Sequence, residues 1–371
     1  MEFGLAIQGY APGRKAHDRA AEHEVFRSEI ELAKLADRSG WKYLWLPEHH
    51  TLTEYSHISD CESWAGYMAA VTERIHVGSG IINLSPRVNH PVRVAERVAT
   101  LDHLCEGRFE FGTGRGAGSH EVATFGVETT EETRDEWDEV IAQLPAMWRS
   151  TDYEYRGRHF SVPRRNILPK PMGNAHPPIW VAAGNPPTFA KAGRLGIGVL
   201  GFNFSSIFAM QPHVDAYKEP VQHADPVGDY VNNNVMLSNG VICMEDGELA
   251  REIATRANMG YLYSLVCLYH DTFPRNERAP VWPEPPHQRS RRTIDRAIEA
   301  GLMLCGTPAE IVEQLRAYEA TGVDQLAFGF PGDLRYEEAE ETIRMFGEEV
   351  IPHFDKDPVH STTKLRQAAR D

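Results

Sequence analysis

The feature that most constrains this chain is a series of eight short apolar runs, most of them followed by a segment of helical period. Short apolar runs bounded by turn residues read as buried strands, and their alternation with helices points to parallel strands joined by helical crossovers. The runs are Phe3–Gln8, Tyr43–Leu46, Ile75–Asn83, Arg108–Gly112, Pro178–Ala182, Ile197–Leu200, Val235–Val241 and Gln325–Phe330. Between them, helices are predicted near Val25–Arg38, Cys61–Val71, Val92–His103, Thr188–Leu195 and Glu337–Glu348. In the first of these, Val25, Phe26, Ile30, Ala33 and Ala36 recur near the helical spacing, and Gly40 follows as a C-cap. The expected fold is α/β, a (β/α)8 TIM-type barrel with insertions after strands 4 and 7.

Such a barrel takes about 250 residues, and the chain has 371. The surplus falls in insertions near 116–177 and 262–300 of a single domain spanning 1–352, with a polar C-terminal tail at 353–371 expected to fray. The first insertion reads as a helix, Glu131–Trp148, and a hairpin, Tyr153–Val162, turning near Arg156-Gly157-Arg158. The second holds Pro274, Pro280, Pro283, Pro285 and Pro286 among aromatics. Tyr261, Tyr263, Phe273 and Trp282 either line an apolar pocket under a lid or form the insertion's own core.

Composition excludes several classes. Hydrophobic residues at 42% and charged residues at 25% are ordinary for a globular protein and exclude general disorder. A net charge of −15 repels phosphate backbones, so nucleic acid is not an expected partner, and an anionic ligand would need a local cationic or N–H pocket. The five cysteines are scattered without a C-x-x-C pair, which argues against a disulfide framework or a cysteine zinc site. No signal peptide and no membrane-length apolar run is evident, so the expected location is the cytoplasm, away from the membrane.

In a barrel of this kind the chemistry sits at the C-terminal strand ends. Strand 2 leads into Pro47-Glu48-His49-His50. Consecutive side chains of an extended segment point to opposite faces, so one histidine faces the mouth as an acid, base or donor while its neighbour packs elsewhere. No H-E-x-x-H or comparable ligand spacing occurs, and no metal is expected. Strand 4 leads into Gly112-Thr113-Gly114-Arg115-Gly116, where glycines allow close backbone approach and Arg115 offers a fork for phosphate. Strand 5 leads into Gly184-Asn185-Pro186-Pro187-Thr188 at a helix start, a second place where N–H groups and a hydroxyl can meet an anion. Each turn alone is also what an ordinary capped loop looks like. Together they suggest a phosphorylated cofactor lying across the barrel mouth.

These residues, taken in order, resemble the bacterial luciferase-like flavin monooxygenases. The similarity runs through Pro47-Glu48-His49-His50, Val77-Gly78-Ser79-Gly80-Ile81, His90-Pro91 with Ala95-Glu96 and Leu101-Asp102, and Glu106 to Gly116. It continues through Phe125-Gly126-Val127 and Pro178 to Ala182, covering most of residues 1–200 and, more loosely, Gly301–Phe330. The resemblance implies reduced FMN supplied by a separate flavin reductase, reaction with molecular oxygen to a flavin peroxide, and oxygenation of a small organic substrate, by a homodimer. It implies His49 as catalytic acid/base with His50 and Glu48 shaping the flavin face, a cis Gly80–Ile81 bond behind the ring, and Arg115, Gly184, Asn185 and Thr188 at the phosphate. Gly114 stands where luciferase has cysteine, which by this reading leaves more room beside the ring. The strand-5 turn also lacks the acidic and hydroxyl residues of luciferase, and the stretch from Gly80 to His90 is slightly longer. These departures argue against aldehyde-driven light emission. Two alternatives stay open: a deazaflavin-dependent hydride-transfer oxidoreductase, and a flavin-binding protein without turnover.

Overall fold

The computed structural model describes residues 1–371 except 12, 53–55, 117, 202–204, 257–287, 331–333 and 370–371. Eight parallel strands close into a barrel: β1 (Glu2–Ala6), β2 (Tyr43–Leu46), β3 (His76–Ser79), β4 (Phe109–Gly114), β5 (Ile179–Ala183), β6 (Gly198–Gly201), β7 (Val235–Cys243) and β8 (Gln325–Gly329). Each pairs with its successor, and β8 returns to β1 with Phe3 opposite Leu326 and Leu5 opposite Phe328. This is the (β/α)8 barrel expected from the apolar runs.

Strand period sorts the side chains. Phe3, Leu5, Leu44, Leu46, Val77, Val181 and Phe328 turn outward into the large core shared with the helices. Tyr43, Trp45, Trp180, Leu200, Met236 and Ala327 turn inward and, with Ile81, fill the barrel. The two indoles meet edge to face at 5.3 Å, and each has glycine across from it: a Cβ at Gly78 would lie 2.5 Å from Trp45, and one at Gly198 2.5 Å from Trp180. Their N–H groups are satisfied inside the barrel, Trp45 Nε1 donating to Gln325 Oε1 at 2.9 Å and Trp180 Nε1 to Glu110 Oε2 at 2.7 Å.

Several boundaries differ from the expected ones for identifiable reasons. Helix α1 (Arg19–Arg38) begins well before Val25, because Asp18 caps it by accepting the N–H groups of Ala20 and Ala21. Helices α2 (Cys61–Val71) and α3 (Pro91–Leu104) lie as expected, with Asp60 and His90 as caps. The third run is not one strand: β3 stops at Ser79, the Gly80–Ile81 peptide is cis, and Ile82–Asn83 pairs separately with Thr113–Gly114. The outer half of β7 pairs with a short strand, Leu304–Gly306, that its three residues were too few to announce. The first insertion contains α4 (Ser119–Ala123), α5 (Thr133–Arg149) and a hairpin of Tyr153–Arg156 with Ser161–Arg165. Of the second, Arg291–Glu299 is helical, whereas Tyr261, Tyr263, Phe273, Trp282 and the five prolines lie outside the described residues. Among the described residues, no helix is long and apolar enough to cross a membrane. Cys61, Cys105, Cys243 and Cys305 are buried free thiols.

The tail requires a correction. It is polar, but the described part does not fray: helix Ser361–Ala368 seals the N-terminal floor of the barrel. The reason is that the floor is itself polar. Glu2 receives Lys42 Nζ at 2.7 Å, Tyr43 Oη at 2.8 Å and Ser361 Oγ at 2.6 Å, and these partners hold its carboxyl below the ordinary value against the effect of burial. Thr362 donates to Glu110 Oε1 and Trp180 to Oε2, yet burial still pushes the Glu110 carboxyl up, to about 8. His360 stacks on His76 at 3.7 Å, and burial drives both imidazoles down to about 3, so both are neutral. Beyond them Arg366 makes a two-pronged pair with Asp102, at 2.7 and 2.6 Å, with neither side chain more than 5% exposed. Removing one partner of such a buried pair strands the other charge, at about 3–5 kcal/mol. Arg366→Ala is therefore expected to lower the unfolding free energy by about that amount in urea titration; unchanged stability would show that the tail does not lock the floor.

Candidate active site at the barrel mouth

With the floor sealed and the middle filled, the C-terminal mouth is the end left for chemistry. After β2 ends at Leu46, His49 and His50 turn to different partners. His49 Nδ1 lies 3.1 Å from Glu121 Oε1, and the same oxygen accepts the His50 N–H at 2.9 Å. Glu121 belongs to α4 of the first insertion and is 2% exposed. His50 Nε2 instead lies 3.0 Å from Glu48 Oε1, and its ring meets Phe125 edge to face at 4.8 Å. Burial alone would lower the His50 pKa, but the bond and charge of Glu48, with Glu121 and Glu62 behind, raise it above the ordinary value. Glu48 is buried and also accepts Asn89 Nδ2 on both oxygens, at 3.0 and 3.2 Å.

Behind this group the cis Gly80–Ile81 bond, as the resemblance implies, places the Ile81 side chain against β4. A Cβ at Gly114 would stand 2.6 Å from Ile81 Cγ1 and 2.8 Å from Cδ1. The expectation that Gly114 leaves extra room is thus corrected: Ile81 fills it, and glycine is there so that it can. The Arg115 Nη1 donates to Thr130 O at 2.7 Å; burial and nearby Arg134 hold the guanidinium below its ordinary pKa, with Glu131 and Asp138 acting the other way.

The strand-5 turn is only partly free to meet an anion. Asn185 caps helix α6 (Pro186–Arg194), its Oδ1 taking the Thr188 N–H at 3.1 Å and the Thr188 hydroxyl at 3.0 Å. Pro186 and Pro187 have no N–H to offer. The donors of this turn are therefore the N–H groups of Gly184 and Asn185 and the Asn185 amide, while Thr188 holds the cap. A Cβ built on Gly184 meets nothing within 4 Å, so the cradle there is open. β4 and β5 are neighbours, Thr113 opposite Val181, and Arg115 and Gly184 therefore leave adjacent strand ends.

The structure thus brings Glu48, His49 and His50 together and sets Ile81 against Gly114, the two groups linked by the Asn83 N–H donating to Glu48 Oε2 at 3.4 Å, while Arg115 and the Gly184–Thr188 turn follow the neighbouring strands β4 and β5. It adds Glu121 and Asn89, which sequence reasoning missed. The only signal for Glu121 was an acidic residue in an insertion, between Gly116 and Phe125. Among the described residues one set of metal-competent atoms also gathers, from Glu48, Cys61 and Glu62, within 4.8 Å of one another. Glu48 is engaged by Asn89 and His50, Glu62 by Arg97 at 3.2 Å, and burial raises the Cys61 thiol well above its ordinary pKa.

Known proteins resemble this chain over nearly its whole length. The sequence profile of the luciferase-like monooxygenase family matches residues 1–325. The chain is 25% identical over 382 residues to the oxygenase component of flavin-dependent trigonelline monooxygenase from Acinetobacter baylyi, covering 97% of each chain. Its fold matches the oxygenating constituent of 3,6-diketocamphane monooxygenase from Pseudomonas putida, a structure in complex with FMN, with a TM-score of 0.74 and 20% identity over 95% of this chain and 98% of that one. It also matches an F420-dependent secondary alcohol dehydrogenase, with a TM-score of 0.69 and 17% identity over 95% and 99%. The chain belongs to the luciferase-like monooxygenase family.

The Ile81–Gly114 fit is directly testable. Gly114→Ala forces the Ile81 side chain aside, an overpacking expected to cost about 1–3 kcal/mol in urea unfolding. Ile81→Ala in the same chain is expected to recover part of that loss; a loss left intact would mean that Ile81 is not what fills the site.

Proposed function

We propose that this protein is the oxygenase component of a two-component flavin monooxygenase, taking reduced FMN from a separate reductase and using molecular oxygen to oxygenate a small organic substrate. The observation that carries the reading is the pairing of His49 with the buried Glu121 at 3.1 Å, beside the Gly80–Ile81 and Gly114 wall. A homodimer in the cytoplasm belongs to the same reading.

The residues present fit such a cofactor. The open cradle at Gly184, the Asn185 amide and the Arg115 fork supply donors for a phosphate within an otherwise acidic chain. Ile81, backed by Trp45 and Trp180, offers an apolar surface to a flat ring and keeps water from that face. Reduced flavin, when bound, supplies the electrons that activate oxygen. The protein's part is proton handling and shielding. His49, held through Nδ1 by Glu121, is the group placed to exchange a proton with a substrate. His50, paired with Glu48, takes up a proton more readily than an ordinary histidine. The Glu48-His49-His50 segment resembles the FMN-using oxygenases, which favours FMN over the deazaflavin of the hydride-transfer branch.

The deciding experiment mixes the purified protein anaerobically with reduced FMN and then adds oxygen. A long-lived absorbance distinct from both reduced and oxidised flavin is expected. Immediate conversion to oxidised flavin and hydrogen peroxide, as in free solution, would overturn the oxygenase reading in favour of the deazaflavin or binding-only ones. Arg115→Ala should weaken FMN binding about 10–100-fold, the worth of a charged hydrogen bond, while leaving riboflavin binding nearly unchanged. His49→Ala should keep the fold and lose about 10²–10⁴-fold in substrate turnover; full turnover would remove His49 from the chemistry.

A further inference from the structure

A continuous chain of polar side chains runs from outside the mouth to His50, and the proposed chemistry does not account for it. It begins on α2, where Glu62 Oε1 lies 3.2 Å from Arg97 Nε of α3. Arg97 Nη2 donates to Asn89 Oδ1 at 2.6 Å. Asn89 Nδ2 donates to both oxygens of Glu48, at 3.0 and 3.2 Å, and to Asn83 O at 3.0 Å. Glu48 Oε1 then meets His50 Nε2 at 3.0 Å.

The middle link is the informative one. A carboxamide has one end that only accepts and one that only donates, and a guanidinium only donates. Arg97 on one side, with Glu48 and the Asn83 carbonyl on the other, therefore fixes which way Asn89 points: its carbonyl faces Arg97 and its NH2 faces Glu48. An NH2 facing a carboxylate favours the ionised form, and an ionised Glu48 favours the charged imidazole bonded to it. Without the guanidinium, the amide carbonyl loses its donor and the Asn89 side chain loses the anchor on that side, leaving Glu48 and the Asn83 carbonyl to hold its NH2 alone. A cation on α3 is thus read, through one amide, as a proton on a residue it does not touch.

We propose that Arg97, from outside the active site, and Asn89, at its edge, are positioning residues that hold His50 in its protonated form. The charged groups facing His50 are Glu48 from its own segment, Glu121 from α4 and Glu62 from α2, all acidic. Glu62 in turn faces Glu48, Asp60 and Arg97, and burial with Glu48 nearby raises its carboxyl above the ordinary value. Arg97 thus stands between two carboxylates, paired directly with Glu62 and linked to Glu48 through Asn89. The inference rests on the proposed function only for what the His50 charge is used for; the proton itself is a property of the cofactor-free protein.

The test is accordingly made without flavin. The His50 ring is followed by NMR through a pH titration of the full chain, its signal assigned by its loss in His50→Gln. In the native chain the midpoint is expected above the ordinary histidine value of about 6.5. In Arg97→Met it is expected to fall by about one pH unit, a tenfold loss of proton affinity, and Arg97→Lys should restore most of it. Asn89→Leu removes the amide while leaving the Arg97–Glu62 pair in place, and should lower the midpoint likewise. Should Arg97→Met not fold, this second variant decides. An unchanged midpoint in a folded Arg97→Met or Asn89→Leu chain overturns the relay. That result would leave the oxygenase reading standing, whereas a lowered midpoint alongside a failed oxygen experiment would do the reverse.

Discussion

Closure of the eight-stranded parallel barrel is the constraint on which the rest of this structure depends. Closing the sheet turns every second side chain of each strand inward, and an interior of this width must be filled with side chains. Here the filling is graded along the axis. Charged and polar groups, Glu2, Tyr43, His76 and Glu110, line the floor; Trp45 and Trp180 occupy the middle; Ile81 closes over Gly114 near the top. A polar floor has to be satisfied, and the C-terminal helix does this with Ser361, Thr362 and Arg366. The mouth is then where a ligand can enter.

At the mouth, His49 and His50 each have their own carboxylate. Glu48 is supplied two residues away in sequence, whereas Glu121 comes from an insertion 72 positions along. The insertion is therefore part of the site's electrostatics. Through Glu121 Oε1, which meets both the His49 ring and the His50 N–H, the two histidines are fixed relative to each other. The relay through Asn89 extends this pattern outward to Arg97 on α3 and Glu62 on α2.

Much of this was legible in the sequence. β2 and α2 were read with their observed ends, because the apolar run of Tyr43–Leu46 is bounded by Pro47 and the helix starts at a capping Asp60. The residues at the ends of β2, β4 and β5 were legible as a site because their types, histidine, arginine and glycine, carry chemistry wherever they sit. What was misread has a common physical cause. Hydrophobic period shows that Ile75–Asn83 is apolar but not that the backbone breaks after Ser79. A glycine at 114 signals missing bulk without saying which neighbour fills it. The Asn185-Pro186-Pro187-Thr188 turn looked rich in donors until Asn185 Oδ1 was seen to take both donors of Thr188.

The sequence by itself determined the strands, the barrel they build, and the end of it at which polar residues gather. Those follow from period and capping, which are encoded within a few neighbouring residues. Only the tertiary structure decided that Glu121 belongs to His49, that Arg97 governs Asn89, that Ile81 occupies the space at Gly114, and that the tail becomes the floor. Each of these is a choice of partner between segments far apart in the chain. Local period carries no information about it, because it is made only when closure of the barrel brings the segments together.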